Sequence, residues 1–191
     1  MTDLAERRDV ETEVYQPAED SRLLAEVAVD RVHDDDTVLD VGTGSGYVAG
    51  RVADETSADV IAADVNPHAC RAARERGLQA VRADLVGPFR DGAFDRVLFN
   101  PPYLPADEEA ARDDWMEVAL TGGESGRAVV DPFLDRVGRV LAPEGEVLLL
   151  VSTLTGVEEV TERGAENGFS AAAVREESFP FETLTVLALM R

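Results

Sequence analysis

The sequence predicts an α/β fold in which a seven-stranded, mostly parallel sheet carries helices on both faces. Short apolar, β-branched runs alternate with longer helical patterns along the chain, which is typical of βαβ units. The last two runs follow each other directly, which predicts a hairpin that adds an antiparallel strand to a parallel sheet. The 191 residues, 45% of them hydrophobic, suffice for one substantial core, so we expect a single domain over residues 1–191.

Each strand is predicted where β-branched and apolar residues concentrate in a short run. In chain order these runs are Thr37–Val41, Asp59–Asp64, Gln79–Ala83, Phe94–Asn100, Glu146–Ser152, Ala171–Glu176 and Thr183–Met190. Patterns of helical period lie before and between them, at Ala18–Val32, Gly46–Glu55, Pro67–Arg76, a segment ending near Leu141, and Val157–Asn167.

The fourth of these helices has informative boundary signals. Its apolar residues recur at spacings of three and four, which places them on one buried face. Asp131 and Pro132 predict its first turn, with the aspartate as cap. Aspartate is a favoured N-cap residue. Proline is tolerated in the first turn because the N–H that it lacks would have no partner within the helix there.

The charge is unusual: 39 acidic residues against 18 basic ones give a net charge of −21, and all the basic residues are arginine. This balance disfavours a protein held on nucleic acid by clustered positive charge, and it disfavours a basic membrane-surface helix. Acidic excess with arginine in place of every lysine resembles proteins adapted to a cytoplasm of molar salt. In such a background, net charge says less about nucleic-acid partners, and motifs must decide the substrate.

Cysteine usage indicates a reducing compartment, because the single cysteine, Cys70, has no internal disulfide partner. Together with His33 and His68 it is too small a set for a conventional zinc site, so no metal is expected. Residues 1–13 are polar and acidic, unlike a secretory signal, and no apolar run approaches the roughly 20 residues of a membrane span. We therefore expect a cytoplasmic protein.

A glycine-rich turn follows the first strand, with Gly42, Gly44 and Gly46 in a Gly-x-Gly-x-Gly spacing. Glycine lets the backbone come close to a ligand, although such a turn can also be an ordinary tight turn. The spacing differs from the Gly-x-Gly-x-x-Gly of dinucleotide folds. Asp40, just before it, would repel a diphosphate but attract a ligand that carries an ammonium group.

Two further acids end strands. Asp64 ends the second strand, where a carboxylate can accept hydrogen bonds from both ribose hydroxyls, or can instead cap the next helix. Asp84 follows the third strand; it can accept from an adenine amine while Leu85 covers the ring, or it can be a turn-forming surface residue. Because ligands of open α/β sheets bind at the carboxyl ends of strands, these acids favour a nucleoside site.

The fourth strand runs into Asn100-Pro-Pro-Tyr103. Two prolines remove two backbone donors, so this turn presents carbonyls and an asparagine side chain to a planar NH₂ group. Tyr103 adds a flat face on which an amide or a base can stack. The alternative is an ordinary proline-rich turn that has no catalytic or binding role.

These motifs carry a resemblance to a known family. The set Asp40–Gly46, Asp64, Asp84 and Asn100–Tyr103 resembles class I S-adenosylmethionine-dependent methyltransferases, Rossmann-like enzymes, of the amino-methylating group, and the likeness covers nearly the whole chain. Two further strings, Val-Tyr-Gln-Pro-Ala-Glu-Asp-Ser ending at Ser21 and Thr-Gly-Gly-Glu-Ser-Gly-Arg ending at Arg127, are similar to the release-factor glutamine N5-methyltransferases (HemK-like). The similarity is to their short archaeal and eukaryotic branch.

The resemblance implies a role for each site residue. It places Ser21 at the methionine end of S-adenosylmethionine, Asp40 with Gly42 and Gly44 at its amino group and backbone, Asp64 at the ribose, Asp84 with Leu85 at the adenine, and Asn100, with Pro101 and Tyr103, at the substrate amide. The implied substrate is the glutamine of a Gly-Gly-Gln motif in a class I translation release factor. The alternative is N6-methylation of adenine in DNA or RNA, by enzymes that use the same Asn-Pro-Pro-Tyr turn.

Two expectations concern partners. The short members of this family work with a small zinc-binding activator protein, so the resemblance implies a heterodimer. An exposed strand edge near Val38 or Val60 is our hypothesis for a docking site by strand addition.

The acidic segment from Pro105 to Gly123 is interpreted as a lid or a substrate-contacting insertion.

Overall fold

A computed structural model describes residues 14–103, 122–123 and 125–191 of the chain. Most of the predicted lid segment and residues 1–13 lie outside these ranges. The seven predicted strands are present, as β1 Thr37–Val41, β2 Asp59–Asp64, β3 Gln79–Arg82, β4 Phe94–Phe99, β5 Leu141–Ser152, β6 Ser170–Ser178 and β7 Thr183–Met190. Five helices are described, as α1 Glu19–Arg31, α2 Tyr47–Glu55, α3 Pro67–Glu75, α4 Val130–Val140 and α5 Val157–Glu166.

The strands form one sheet in the order β3-β2-β1-β4-β5-β7-β6. β1 to β5 pair in parallel, and β7 lies antiparallel between β5 and β6. The predicted terminal hairpin is therefore confirmed. The predicted docking edges near Val38 and Val60 are wrong, because β1 and β2 both have a neighbour on each side; the free edges of this sheet are β3 and β6.

Two apolar clusters cover the two faces of the sheet. On one face α1, α2 and α3 pack against side chains such as Val38, Leu98 and Leu148. On the other face α4 and α5 pack against the alternate side chains, such as Leu39 and Val97. This alternation is what a sheet buried on both sides requires, and it confirms helices on both faces.

The predicted cap of the fourth helix is wrong. Helix α4 begins at Val130 with Val129 as its cap residue, so Asp131 is not the cap but lies in the first turn, where its N–H already bonds to the Arg127 carbonyl at 3.0 Å. Pro132 lies in that first turn, as predicted.

Strand β5 begins at Leu141, five residues before the predicted start at Glu146. Its sequence there contains Pro143 and Gly145, which favour a turn. A register shift against β4 between Phe94 and Arg96 accommodates them. Among the described residues, no helix is long and apolar enough to cross a membrane.

Candidate active site

The predicted site residues meet in one cavity at the carboxyl ends of β1, β2 and β4. The cavity has a volume of about 330 Å³, in the range of small-molecule pockets. Its lining includes every residue that the sequence predicts for the site, namely Ser21, Asp40, Gly42, Gly44, Asp64, Asp84, Leu85, Asn100, Pro101 and Tyr103. Strand order explains this, because β1, β2 and β4 are adjacent and end at the same edge.

The glycine turn after β1 needs its glycines. Gly42 and Gly44 have φ angles of +63° and +54°, which side chains other than glycine rarely adopt. A Cβ on Gly42 would lie 3.4 Å from the ring of Phe99, so a side chain there would also project toward the cavity wall. The turn therefore exposes its backbone to the cavity, and its contact with a ligand stays a prediction.

Asp40 is buried at the base of this turn, with a relative exposure of 2%. Its Oδ2 accepts hydrogen bonds from Thr43 Oγ1 at 2.6 Å and from the Ala49 N–H at 3.2 Å. Its Oδ1 has no hydrogen-bond partner among the described residues. Burial raises the pKa of Asp40 to about 7, against the hydrogen bonds from Thr43 and Ala49 that lower it. A cation in the cavity would favour the ionised form.

The Asp64 carboxylate accepts hydrogen bonds from backbone N–H groups and does not cap the following helix. Its Oδ2 accepts from the Gly44 N–H at 2.9 Å and its Oδ1 from the Asn66 N–H at 2.8 Å. Asn66, not Asp64, caps α3, by accepting from the His68 N–H. The capping alternative for Asp64 is therefore wrong. The Val65 N–H also hydrogen-bonds this carboxylate, and since a carboxylate has about four acceptor positions, Asp64 can still accept from a ribose hydroxyl.

Asp84 and Leu85 follow β3 at the rim of the cavity. Leu85 has a φ of +49°, and no other non-glycine residue described has a positive φ. Such a conformation costs on the order of 1 kcal/mol and is found most often at ligand sites. The strained backbone supports a ligand-covering role for the Leu85 side chain, which lines the cavity.

The Asn100–Tyr103 turn forms the opposite wall of the cavity. Asn100 Nδ2 donates to Ser21 Oγ at 3.4 Å, which orients the amide. Asn100 Oδ1 is buried and has no hydrogen-bond partner among the described residues. A buried acceptor left unpaired costs about 1–3 kcal/mol, so this oxygen is an acceptor that a bound N–H group would satisfy.

Tyr15, which the sequence did not assign to the site, lines the cavity beside Asp20. Tyr15 donates its hydroxyl proton to Asp20 Oδ2 at 2.9 Å, and Asp20 is only 3% exposed. Both belong to the string that ends at Ser21, which carried the resemblance to the release-factor enzymes. That string was the available signal, but nothing in it specified the contact.

Comparison with known proteins identifies the family. The sequence pattern described as "Methyltransferase domain" matches residues 38–123. A putative protein N5-glutamine methyltransferase of Methanocaldococcus jannaschii is 35% identical over 94% of this chain and 92% of its own length. The chain belongs to this family of S-adenosylmethionine-dependent protein N5-glutamine methyltransferases.

Other members of the family agree in length and fold. Human methyltransferase HEMK2 is 30% identical over 92% of this chain and 89% of its own. A structure of the E. cuniculi Mtq2–Trm112 complex, responsible for methylation of the eRF1 translation termination factor, superposes with a TM-score of 0.77 at 28% identity. It covers 93% of this chain and 98% of its own. The Rossmann-like methyltransferase fold is thereby confirmed.

The cavity fits the methyl donor of this family. Asp40, whose Oδ1 is unpaired, suits the ammonium group, and Asp64 suits the ribose diol. The side chain of Leu85, whose backbone has a positive φ, suits packing against one face of the adenine ring. We propose these three assignments, with Ser21 at the methionine end and Asp84 at the adenine amine.

We predict that the affinity for S-adenosylmethionine rises with pH until about pH 7 and then levels off. Because burial raises the pKa of Asp40 to about 7 in the free protein, the carboxyl is protonated below that pH, and a cationic ligand must displace this proton. The affinity should fall by up to about tenfold per pH unit below the pKa. Calorimetric titration between about pH 5.5 and 8 measures this dependence.

The variant Asp40→Asn is the control for this prediction. Its amide oxygen can still accept from Thr43 and Ala49, but it carries no titrating proton. We expect weaker binding without the pH dependence. A wild-type affinity that is constant across pH 7 would contradict the assignment of Asp40.

Proposed function

We propose that this protein transfers a methyl group from S-adenosylmethionine to the side-chain amide of the glutamine in the Gly-Gly-Gln motif of a class I translation release factor. The observation that carries the proposal is the unpaired, buried Oδ1 of Asn100 beside the cavity. An N–H of a primary amide would satisfy it. The relationship to Mtq2, whose complex acts on a translation termination factor, supports the choice of substrate.

The difficulty of the reaction is that an amide nitrogen is a poor nucleophile, because its lone pair is delocalised into the carbonyl. S-adenosylmethionine supplies, when bound, a methyl group on a positively charged sulfur. We infer that Asn100 Oδ1 and the Pro101 carbonyl accept the two N–H bonds of the amide and aim its nitrogen along the line of transfer. Orientation of this kind contributes up to about 7–11 kcal/mol in the best cases.

The same acceptors favour the charge that develops. Positive charge appears on the amide nitrogen as the new bond forms, and fixed carbonyl dipoles that point at it stabilise that charge. Tyr103 offers a flat face on which the planar amide can stack. The S–CH₃ bond breaks as the N–CH₃ bond forms, the sulfur keeps the electron pair, and the nitrogen then releases one N–H proton to water. The roles proposed for Asn100, Pro101 and Tyr103 require no metal ion and no side-chain base.

N6-methylation of adenine is less favoured by the surroundings of the turn. Burial first, and then the carboxylates of Asp20, Glu182 and Glu19, raise the pKa of the Tyr103 hydroxyl, so these acids lie near the turn. A phosphate backbone that brings a base to Asn100 would approach this acidic rim, and repulsion would oppose it.

The test uses labelled S-adenosylmethionine with either a class I release factor or DNA and RNA as acceptor. We expect label in the factor, none in the nucleic acids, and loss of label when the glutamine of the Gly-Gly-Gln motif is changed to alanine. Label in nucleic acid and not in the factor would overturn the proposal.

We further propose that a small zinc-binding activator forms a heterodimer with this chain at the edge strand β3. Two apolar side chains are exposed at this edge: Val81, within β3, is 38% exposed, and Val65, directly after β2, is 40% exposed. The other edge, β6, is protected, because exposed charged side chains and a register shift near Arg175 hinder strand addition.

The charge near β3 supports a partner with an acidic surface. Residues 65–82 contain four arginines, Arg71, Arg74, Arg76 and Arg82, against the single acid Glu75, in a chain of net charge −21. None of these arginines is ion-paired with a carboxylate in the described part of the chain. A second acidic protein would find there a basic, partly apolar strand edge.

We predict that Val81→Glu and Val65→Glu each weaken the heterodimer at least about tenfold, or about 1.4 kcal/mol, because each removes apolar contact area and adds a carboxylate at the basic edge that the acidic partner approaches. Co-purification and titration of the activator measure the effect. Met190→Glu is the matched control, since Met190 is 42% exposed at the end of β7. Equal binding by all three variants would exclude β3 as the docking edge.

The cellular setting is a further proposal. We infer a cytoplasm of molar salt from the acidic excess and the replacement of every lysine by arginine.

A further inference from the structure

One motif of the sequence has no role in the chemistry proposed above, the Thr-Gly-Gly-Glu-Ser-Gly-Arg string that ends at Arg127. Residues 122–123 and 125–128, here called the Arg127 loop, are its described part together with the residue that follows. The Ala128 N–H donates to the Gly122 carbonyl at 2.9 Å, across the length of the string. The loop therefore folds back on itself into a compact unit.

The Arg127 loop lies between the Asn100–Tyr103 turn and the segment that follows β5. Gly126 is buried and has a φ of +69°. A Cβ on Gly126 would lie 3.0 Å from the Tyr103 carbonyl oxygen and 3.4 Å from Thr155 Cα. Atoms in ordinary van der Waals contact are about 3.5–4.0 Å apart. The turn thus packs directly on the backbone of Gly126, with no room for a side chain.

The side chain of Arg127 fixes the loop to the sheet. Its Nη1 donates to the Thr155 carbonyl at 2.6 Å. Thr155 is only 1% exposed, and its N–H bonds at 2.9 Å to the carbonyl of Ser152, the last residue of β5. The loop therefore rests on the end of β5 on one side and supports Tyr103 on the other.

A shift of Tyr103 would be passed on to Asn100. The two residues between them are prolines, whose rings fix the φ angles and leave the turn little freedom to absorb a displacement. Tyr103 offers the flat face proposed for the substrate amide, and Asn100 carries the unpaired acceptor oxygen. Support at one end of the turn therefore bears on both groups.

We propose that Gly126 and Arg127 are positioning residues for methyl transfer, which hold the Asn100–Tyr103 turn at a fixed distance from the end of β5. Neither is among the described residues that line the cavity, so both act through the turn. The inference rests on the proposed function and adds to it the support of the amide site. Loss of this support should slow transfer more than it weakens binding of S-adenosylmethionine.

Matched glycine substitutions test the proposal. Gly126→Ala should reduce kcat about three- to tenfold, because a misplacement of about 1 Å can cost about 10²-fold and one methyl group requires a smaller shift. Gly126→Val should lose more. The Kd for S-adenosylmethionine and the KM for the release factor should stay within about threefold of wild type.

The controls are Gly168→Ala and Gly168→Val. Gly168 lies beyond α5 with a φ of +81°, and a Cβ there would meet no described atom within 4 Å apart from its chain neighbours. These variants therefore carry a similar backbone strain without the contact, and we expect a wild-type kcat. A wild-type kcat in the Gly126 variants, or equal losses at both glycines, would overturn the inference.

Arg127→Ala keeps the test valid if the Gly126 variants do not fold, as judged by their melting transition. It removes the bond to the Thr155 carbonyl and should lower kcat at least about threefold at an unchanged Kd for S-adenosylmethionine. Arg136→Ala, an exposed arginine of α4, is its control and should transfer at the wild-type rate. A wild-type kcat in Arg127→Ala would refute the positioning role.

A second readout needs no substrate. The side-chain amide signals of Asn100, identified in a nitrogen–proton NMR spectrum by their loss in Asn100→Ala, should shift in Gly126→Ala and not in Gly168→Ala. Unshifted signals in Gly126→Ala would refute the support of the turn. Shifted signals in a protein whose wild type does not methylate the release factor would instead refute the proposed function.

Discussion

Replacement of Asn100 by alanine should reduce methyl transfer to the release factor by about 10²–10³-fold, the loss typical when one fixed hydrogen-bonding group at a reacting centre is removed. The side-chain oxygen of Asn100 has no hydrogen-bond partner in the part of the chain that the structure describes, so its removal breaks no hydrogen bond seen there. The only described bond of its amide is the long one to Ser21 Oγ, at 3.4 Å. Binding of S-adenosylmethionine should change by less than about threefold.

The measurement is single-turnover transfer of labelled methyl groups, with the affinity for S-adenosylmethionine measured separately. Asn100→Asp is an informative second variant, because it keeps an acceptor oxygen but places a charge beside the turn. Asn167→Ala, at the end of α5, is the surface control. Equal loss of transfer and of cofactor affinity in Asn100→Ala would show that Asn100 serves the cofactor and not the amide.

Transfer from molar to about 0.1 M salt should lower the melting temperature by about 10 °C or more, at roughly 2–4 °C per kcal/mol for a chain of this size. The chain carries 39 acidic residues against 18 arginines. The ion pairs among the described residues engage a minority of the carboxylates. The Debye length grows from about 3 Å to about 10 Å over this range, so repulsion among the unpaired carboxylates increases.

The measurement is thermal unfolding in potassium chloride, compared with unfolding in sucrose. The comparison separates the screening of charge repulsion by salt from the stabilisation that any solute excluded from the protein surface gives. Sucrose should restore less stability than salt, because it does not screen charge. A melting temperature that does not depend on salt would contradict adaptation to a saline cytoplasm. The charge would then need another explanation.

Much of the fold was predictable because short-range patterns specify it. The alternation of β-branched runs with helical patterns gave the seven strands, and the acids and glycines after these strands marked the edge where the cavity lies. The errors came from places where tertiary pairing overrides local preference. Strand β5 continues through Pro143 and Gly145 because a register shift against β4 accommodates them.

For the candidate site, too, the sequence predicted the residues, and the structure decided between their alternative roles and showed their contacts. Asp64 offered a choice between ribose binding and helix capping, and the position of Asn66 as the cap of α3 removed the second. Ser21 stood in a recognisable string, but the side-chain amide that it accepts from, that of Asn100, lies 79 residues further along the chain, and only folding brings the two together. No periodicity in the sequence carries information about such a contact.

The class of fold, the predicted residues around the cavity and the unusual charge could be inferred from the amino-acid sequence, because they depend on composition, on local period and on which residue follows each strand. Folding alone settles which strands are edges, that Asn100 Oδ1 has no partner among the described residues, and that Ser21 meets Asn100 across 79 residues of sequence. These properties depend on packing between distant segments, and packing is settled by the whole chain at once.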